Sequence, residues 1–258
     1  MDSLKLLFIG NSFAEDTMEY AAEIAHTLGV SSVKLGVLYK GSCSIRLHYK
    51  NAVEDIPAYR YSVNEGDGWH FLPDYKISDA IKGEDWDWIA IQHGTGDGER
   101  YTSPECYENL SALVDYVKAL APARTKIAFN LTWTGEPTFP HHEILSYGGD
   151  TALMREKLVE LTKAVLAKNP KIDLLVPTGT AVENARTSQI GILTRDGYHL
   201  SLDVGRYIAG LTFISCITGI DAKVATWAPA TAGEYAVSVA AKAAQSAITS
   251  PFTITKIS

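Results

Sequence analysis

Short apolar runs recur along the chain at Leu4 to Ile9, Val33 to Leu38, Trp88 to Ile91, Lys126 to Leu131 and Ile172 to Val176. Longer stretches of helical periodicity separate them, the pattern of a parallel sheet covered by helices on both faces. Ser103-Pro104 offers a cap and a first-turn proline to a helix carrying Leu110, Leu113, Val117 and Leu120. Asp150 or Thr151 starts the next helix and Asn169-Pro170 stops it. Two further helices are expected from about Asp203 to Thr218, closed by Gly219, and from about Ala232 to Ile248. Tyr59, Tyr61 and Val63 alternate with polar residues ahead of the turn signal Glu65-Gly66-Asp67-Gly68 and Trp69-His70-Phe71. That stretch predicts a β-hairpin inserted after the second strand. The expected architecture is α/β, a three-layer α/β/α sandwich around a five-stranded parallel sheet, with residues 1–258 forming one domain.

With 46% apolar residues the chain can fill one sizeable core. A net charge of -7 disfavours nucleic acid and anionic membranes as partners, because both call for clustered Lys and Arg. Cys43, Cys106 and Cys216 are an odd number without CxxC spacing, which predicts neither a disulfide framework nor a thiolate metal site. The given chain shows no leader pattern and no apolar run of spanning length, so the expected compartment is the cytoplasm.

In an open parallel sheet, ligands bind beyond the carboxyl ends of the strands, which directs attention to the loops there. After the first strand, Gly10-Asn11-Ser12-Phe13 places Ser12 in a turn entering a helix, as a nucleophile beside oxyanion donors or simply as a helix cap. Gly41, after the second strand, has a backbone N–H that a ligand can approach closely, or it serves an ordinary turn. The third strand leads into Gln92-His93-Gly94-Thr95-Gly96-Asp97-Gly98, which lacks the Lys and Ser/Thr ending of a phosphate-binding P-loop. Trp133, past the fourth strand, reads as an aromatic platform or as packing, and His141, His142 and Glu143 lack a third ligand at fitting spacing for a metal. Further along, Arg195-Asp196-Gly197-Tyr198-His199 sets an Asp and a His three residues apart, so that in a turn they face each other. A serine needs such a base, and the base needs such a carboxylate.

Taken together, these blocks resemble the SGNH, or GDSL-like, hydrolase superfamily, in particular a bacterial subgroup of unassigned substrate. The likeness runs over about residues 4 to 220. It implies a flavodoxin-like sheet, a catalytic triad of Ser12, His199 and Asp196, and an oxyanion hole made by Ser12, Gly41 and Gln92. Where the superfamily usually has Gly-x-Asn-Asp, this chain has Gln92-His93-Gly94, so Gln92 is expected to present the carboxamide N–H. Asn11, His93, Trp133 and Tyr198 are the expected substrate-binding residues. The activity the resemblance implies is hydrolysis of a small ester, such as an O-acetyl group on a carbohydrate, with no cofactor and no metal. Two other readings stand beside it, a ligand-binding module that kept the fold without turnover and a flavodoxin-like phosphate binder. Glu15 and Asp16, next to the first loop, oppose the second of these.

Overall fold

The computed structural model describes residues 2–93, 104–136, 145 and 147–258. Its strands are β1 (Ser3–Gly10), β2 (Ser32–Tyr39), β3 (Tyr59–Asn64), β4 (His70–Tyr75), β5 (Trp88–Gln92), β6 (Lys126–Asn130) and β7 (Leu174–Val176). They form one seven-stranded sheet in the order β4-β3-β2-β1-β5-β6-β7. From β2 to β7 every pairing is parallel. β1 lies inside this run, and Leu4, Leu6, Leu7, Phe8 and Ile9 are all fully buried. A strand covered on both faces gains nothing from alternation, which is why its sequence reads as a continuous apolar run.

The helices are α1 (Ser12–Met18), α2 (Ala21–Thr27), α3 (Ile45–Val53), α4 (Ile77–Lys82), α5 (Pro104–Leu120), α6 (Thr151–Lys168), α7 (Thr178–Arg186), α8 (Val204–Thr218) and α9 (Glu234–Thr249). α3, α4, α5 and α6 pack among themselves, and α1, α2, α7, α8 and α9 form a second group. Between these two layers lies the sheet.

The expected five-stranded parallel sheet needs correction. The hairpin is no separate insertion, because β3 pairs antiparallel with the outer edge of β2, and β4 with β3. An unpaired β2 edge would leave a row of backbone donors and acceptors open, and β3 satisfies them. On one face of the hairpin, Tyr59 and Tyr61 are buried, stacked on His48 and Tyr75. The last parallel strand is also shorter than expected, since Ile172 closes a turn on Asn169 and pairing begins at Leu174.

Helix ends follow their capping residues closely. Asp150 accepts from the amides of Ala152 and Leu153 at the start of α6, and Gly219 ends α8 in the left-handed region at φ 72°. The expected Ser103 cap lies outside the described residues. α7 has no counterpart in the periodicity, because all of its buried residues except Val182 are small or polar. Among the described residues no helix is long and apolar enough to cross a membrane.

Candidate active site

β1 runs straight into α1 at the carboxyl edge of the sheet. A side chain at Gly10 would place its Cβ 2.7 Å from that of Ala14, so only glycine lets the helix start this close to the strand. Asn11 caps α1, its Oδ1 accepting from the Phe13 amide at 3.0 Å. Ser12 is the first helical residue, a position whose backbone N–H has no partner within the helix. Gly10 pairs with Tyr39 in the sheet, so Ser12 and Gly41 leave neighbouring strands at the same height, each two residues on.

His199 arrives from far along the chain. Thr194 and Leu200 form an antiparallel bridge, and the Arg195 amide donates to the carbonyl of His199 at 2.9 Å, closing residues 195 to 199 into a tight turn. Gly197 supplies the φ of +81° that this turn requires. His199 Nε2 lies 2.8 Å from Ser12 Oγ, and His199 Nδ1 lies 2.6 Å from Asp196 Oδ2. The other Asp196 oxygen accepts from the amides of Tyr198 and His199 at 3.0 and 2.7 Å. Partial burial pushes the Asp196 pKa up, but the hydrogen bonds from the His199 ring and the two amides outweigh it, and the carboxyl sits below its usual range. The structure thus joins Ser12, His199 and Asp196 in one hydrogen-bonded line.

Gln92 is placed differently from expectation. It is buried, and its Nε2 donates to Asn11 Oδ1 at 2.8 Å, while its Oε1 accepts from Asn130 Nδ2 at 3.4 Å. Thr178 donates in turn to Asn130 Oδ1, and Asn11 Nδ2 reaches the Cys43 carbonyl at 3.5 Å. A buried chain of side-chain amides therefore links the ends of β1, β5 and β6 to the loop after β2. In it Gln92 and Asn11 hold the Ser12 turn, and Asn11 makes its contacts inward, with no exposed surface left for a substrate. Gln92→Ala is expected to lower kcat by roughly ten- to a hundredfold through a displaced Ser12 turn. Steady-state kinetics check this, and an unchanged kcat would leave the amide chain without a catalytic consequence.

Three of the residues expected to bind substrate are buried. His93 is fully buried, with Nε2 3.0 Å from Thr162 Oγ1 and its ring edge-on to Phe129. Trp133 is buried, stacked on Phe13 at 4.2 Å, and donates from Nε1 to the Tyr198 carbonyl at 3.0 Å. Tyr198 packs on Phe13 at 4.9 Å. Phe13, Trp133 and Tyr198 form a buried aromatic cluster against the His199 ring. Gly94 to Gly98 and His141, His142 and Glu143 lie outside the described residues. Among the described residues no group of three or more His, Cys, Asp or Glu is placed to hold a metal.

Burial drives the pKa of His93 down to about 3, and burial with the nearby Lys40 charge does the same to His48. Both stay neutral in the fold but bind a proton near pH 6.5 once unfolded. Stability is therefore complete above that pH and is lost as the pH falls from about 6.5 toward 3, by on the order of 2 kcal/mol per histidine between pH 7 and 5. Urea unfolding at both pH values reads the loss. His93→Gln is expected to remove about half of it, and an undiminished pH dependence would assign the effect to other groups.

Two positioning residues carry no clear sequence signal. Asp16, one turn after Ser12, is fully buried and accepts from the Leu200 amide at 2.9 Å, Arg195 Nη1 at 2.9 Å and Arg206 Nε at 2.8 Å. It ties α1, which carries Ser12, to the residue following His199. Glu136 accepts from the Leu193 amide at 3.3 Å and from Arg186 at 3.1 Å, while its own amide donates to the Gly197 carbonyl at 2.8 Å. On paper, an acid in a first helical turn and an acid beside a proline look like solvated surface.

The structure is similar to a family protein from Bacteroides uniformis at 31% identity and a TM-score of 0.93, covering 99% of this chain and 98% of that one. A putative SGNH hydrolase from Slackia heliotrinireducens matches 84% of this chain and 100% of its own, at 18% identity and a TM-score of 0.57. A catalytic mutant of an acetylxylan esterase from Geobacillus stearothermophilus matches 84% of this chain and 95% of its own, at 16% identity and a TM-score of 0.56. No curated protein matches the sequence. The fold is that of the SGNH hydrolases. A family model described as "Domain of unknown function (DUF4886)" matches residues 5–247, and that is the family to which this chain belongs, as does the protein from Bacteroides uniformis.

Proposed function

We propose that this protein is a serine esterase that removes a small acyl group, an acetyl on a carbohydrate hydroxyl, through an acyl-enzyme. The line Ser12 Oγ, His199 Nε2, His199 Nδ1, Asp196 Oδ2, with links of 2.8 and 2.6 Å, carries this reading. His199 takes the Ser12 proton as Oγ attacks the ester carbonyl, and the backbone N–H groups of Ser12 and Gly41 receive the negative oxygen. The alcohol then leaves with the proton from His199. Water repeats the sequence to release the carboxylate. Support for acetyl comes from the shared fold with the acetylxylan esterase, an analogy of scaffold rather than of site.

The test is hydrolysis of acetyl esters together with covalent labelling by a fluorophosphonate at Ser12. In the same assays Asp196→Asn is expected to lower kcat roughly a hundredfold, because an amide favours the wrong imidazole tautomer and no longer stabilises the imidazolium. No label at Ser12 and no turnover of any acetyl ester by the folded protein would refute the esterase reading.

A further inference from the structure

α1 and the hairpin border a groove of about 220 Å³ lined by Glu15, Met18, Glu19, Arg60, Ser62 and Phe71, and Glu15 stands one helical turn from Ser12. Ser12, Glu15 and Glu19 lie on one face of α1, and at 1.5 Å per residue Glu15 and Glu19 sit about 4.5 and 10.5 Å along the axis from the nucleophile. The opposite wall is the α1-facing side of β2, β3 and β4, where Tyr39 pairs with Arg60, Val37 with Ser62, and Ser62 with Phe71. This wall is continuous with the proposed oxyanion loop. A Cβ on Gly41 would stand 3.2 Å from the Tyr39 hydroxyl, and the Arg60 guanidinium lies 4.6 Å over the Tyr39 ring and 5.1 Å over the Phe71 ring.

The chemistry of the groove selects its occupant. Arg60 is ion-paired to Glu15, and Glu19 is held by Arg206, so the rim gives no net attraction to an anion or a cation. Phe71, 58% exposed, presents an apolar ring, and Trp69 closes the far end with its indole N–H donated to the Glu19 carbonyl. On the floor, the Ser62 hydroxyl is buried without a hydrogen-bond partner, a cost that a polar ligand group relieves. Phe71 is its direct cross-strand neighbour, and a ring so exposed turns aside cheaply to admit a ligand. An acyl chain would leave the hydroxyl and the ion pair unserved. A neutral ring with one apolar face and several hydroxyls answers all of them. At 220 Å³ the space falls below the roughly 300–1,000 Å³ of pockets for drug-sized ligands and suits one such ring.

We infer that this groove is the subsite for the alcohol part of the ester and takes a single pyranose ring, its apolar face on Phe71 and its hydroxyls toward Arg60, Glu15 and Ser62. The inference rests on the esterase reading for the identity of the ester, and on the groove alone for the sugar. Two measurements separate these. Saturation-transfer NMR with the unacetylated methyl glycosides of xylose, glucose and N-acetylglucosamine reads the groove without turnover, and at least one is expected to bind the parent protein and to lose about tenfold in affinity in Phe71→Ala. Kinetics on the monoacetylated methyl glycoside are expected to show KM raised about tenfold in Phe71→Ala and several-fold in Ser62→Ala. Hydrolysis of vinyl acetate, whose alcohol is too short to reach the groove, should be unchanged in both. Ser62→Ala should melt at or above the parent temperature, because it removes an unsatisfied hydroxyl, whereas a purely structural Ser62 would lower it.

Sugar binding that depends on Phe71 in a protein inactive on every ester would uphold the groove and sink the esterase reading. Three results would overturn the groove assignment: no methyl glycoside binds the parent, Phe71→Ala and Ser62→Ala leave sugar affinity and KM unmoved, or Phe71→Ala instead changes the preference among vinyl acetate, butyrate and hexanoate.

Discussion

Ser12→Ala is expected to lower kcat toward an acetyl ester by on the order of a thousandfold or more while leaving the circular dichroism spectrum and the melting temperature near those of the parent. Removing Oγ takes away the hydroxyl in line with His199 Nε2, for which no replacement stands among the described residues. The fold should not notice, because the cap of α1 is Asn11, not Ser12, and the hydroxyl packs no core. Residual activity is then set by the oxyanion donors and binding alone, as in other acyl-transfer sites stripped of the nucleophile. Near-parental kcat in a correctly folded Ser12→Ala protein would rule out an acyl-enzyme at this residue.

Asp16→Ala should cost about 3–5 kcal/mol of stability, since it strips a fully buried carboxylate from two arginines and a backbone amide and leaves them without their acceptor. A loss in kcat of roughly a hundredfold should accompany it at temperatures where the variant is folded, because misplacement of a base by about 1 Å has effects of that size. Asp16→Asn retains an oxygen for the Leu200 amide and should recover part of the activity but little of the stability. Urea midpoints and kcat for the two variants decide the matter. A stability within about 0.5 kcal/mol of the parent, typical of a neutral surface change, would mean that the arginines find other partners.

The parts of the molecule legible in the sequence are those decided locally. β1, β2, β5 and β6 announce themselves by apolar runs within a residue or two of their ends, and α6 and α8 by Asp150, Asp203 and Gly219. Asp196 and His199 are readable as a facing pair because a turn of that length, with Gly197 between them, dictates the geometry. What the sequence hides is decided by neighbours far along the chain. The hairpin reads as an insertion because nothing in residues 59–75 states that the edge of β2 is vacant. Trp133 and Tyr198 look like platforms because large aromatics favour both interiors and surfaces, and only the arrival of Phe13 makes them interior. Gln92 occupies the expected strand end, yet its partner Asn11 lies just past the end of another strand, and the bond between them is invisible in either segment.

The position of β1 at the middle of the sheet, with Ser12 at its end and His199 beyond every strand, also bears on synthesis at the ribosome. Ser12 emerges well before His199, which belongs to a turn that follows β7 and is fixed by contacts to α1 across 179 to 190 positions of sequence. Contacts of such separation close late and slowly. A nascent chain therefore carries an unactivated Ser12 hydroxyl until that turn has been made and docked, and the appearance of the proposed ester hydrolysis during refolding would time this docking rather than the collapse of the sheet.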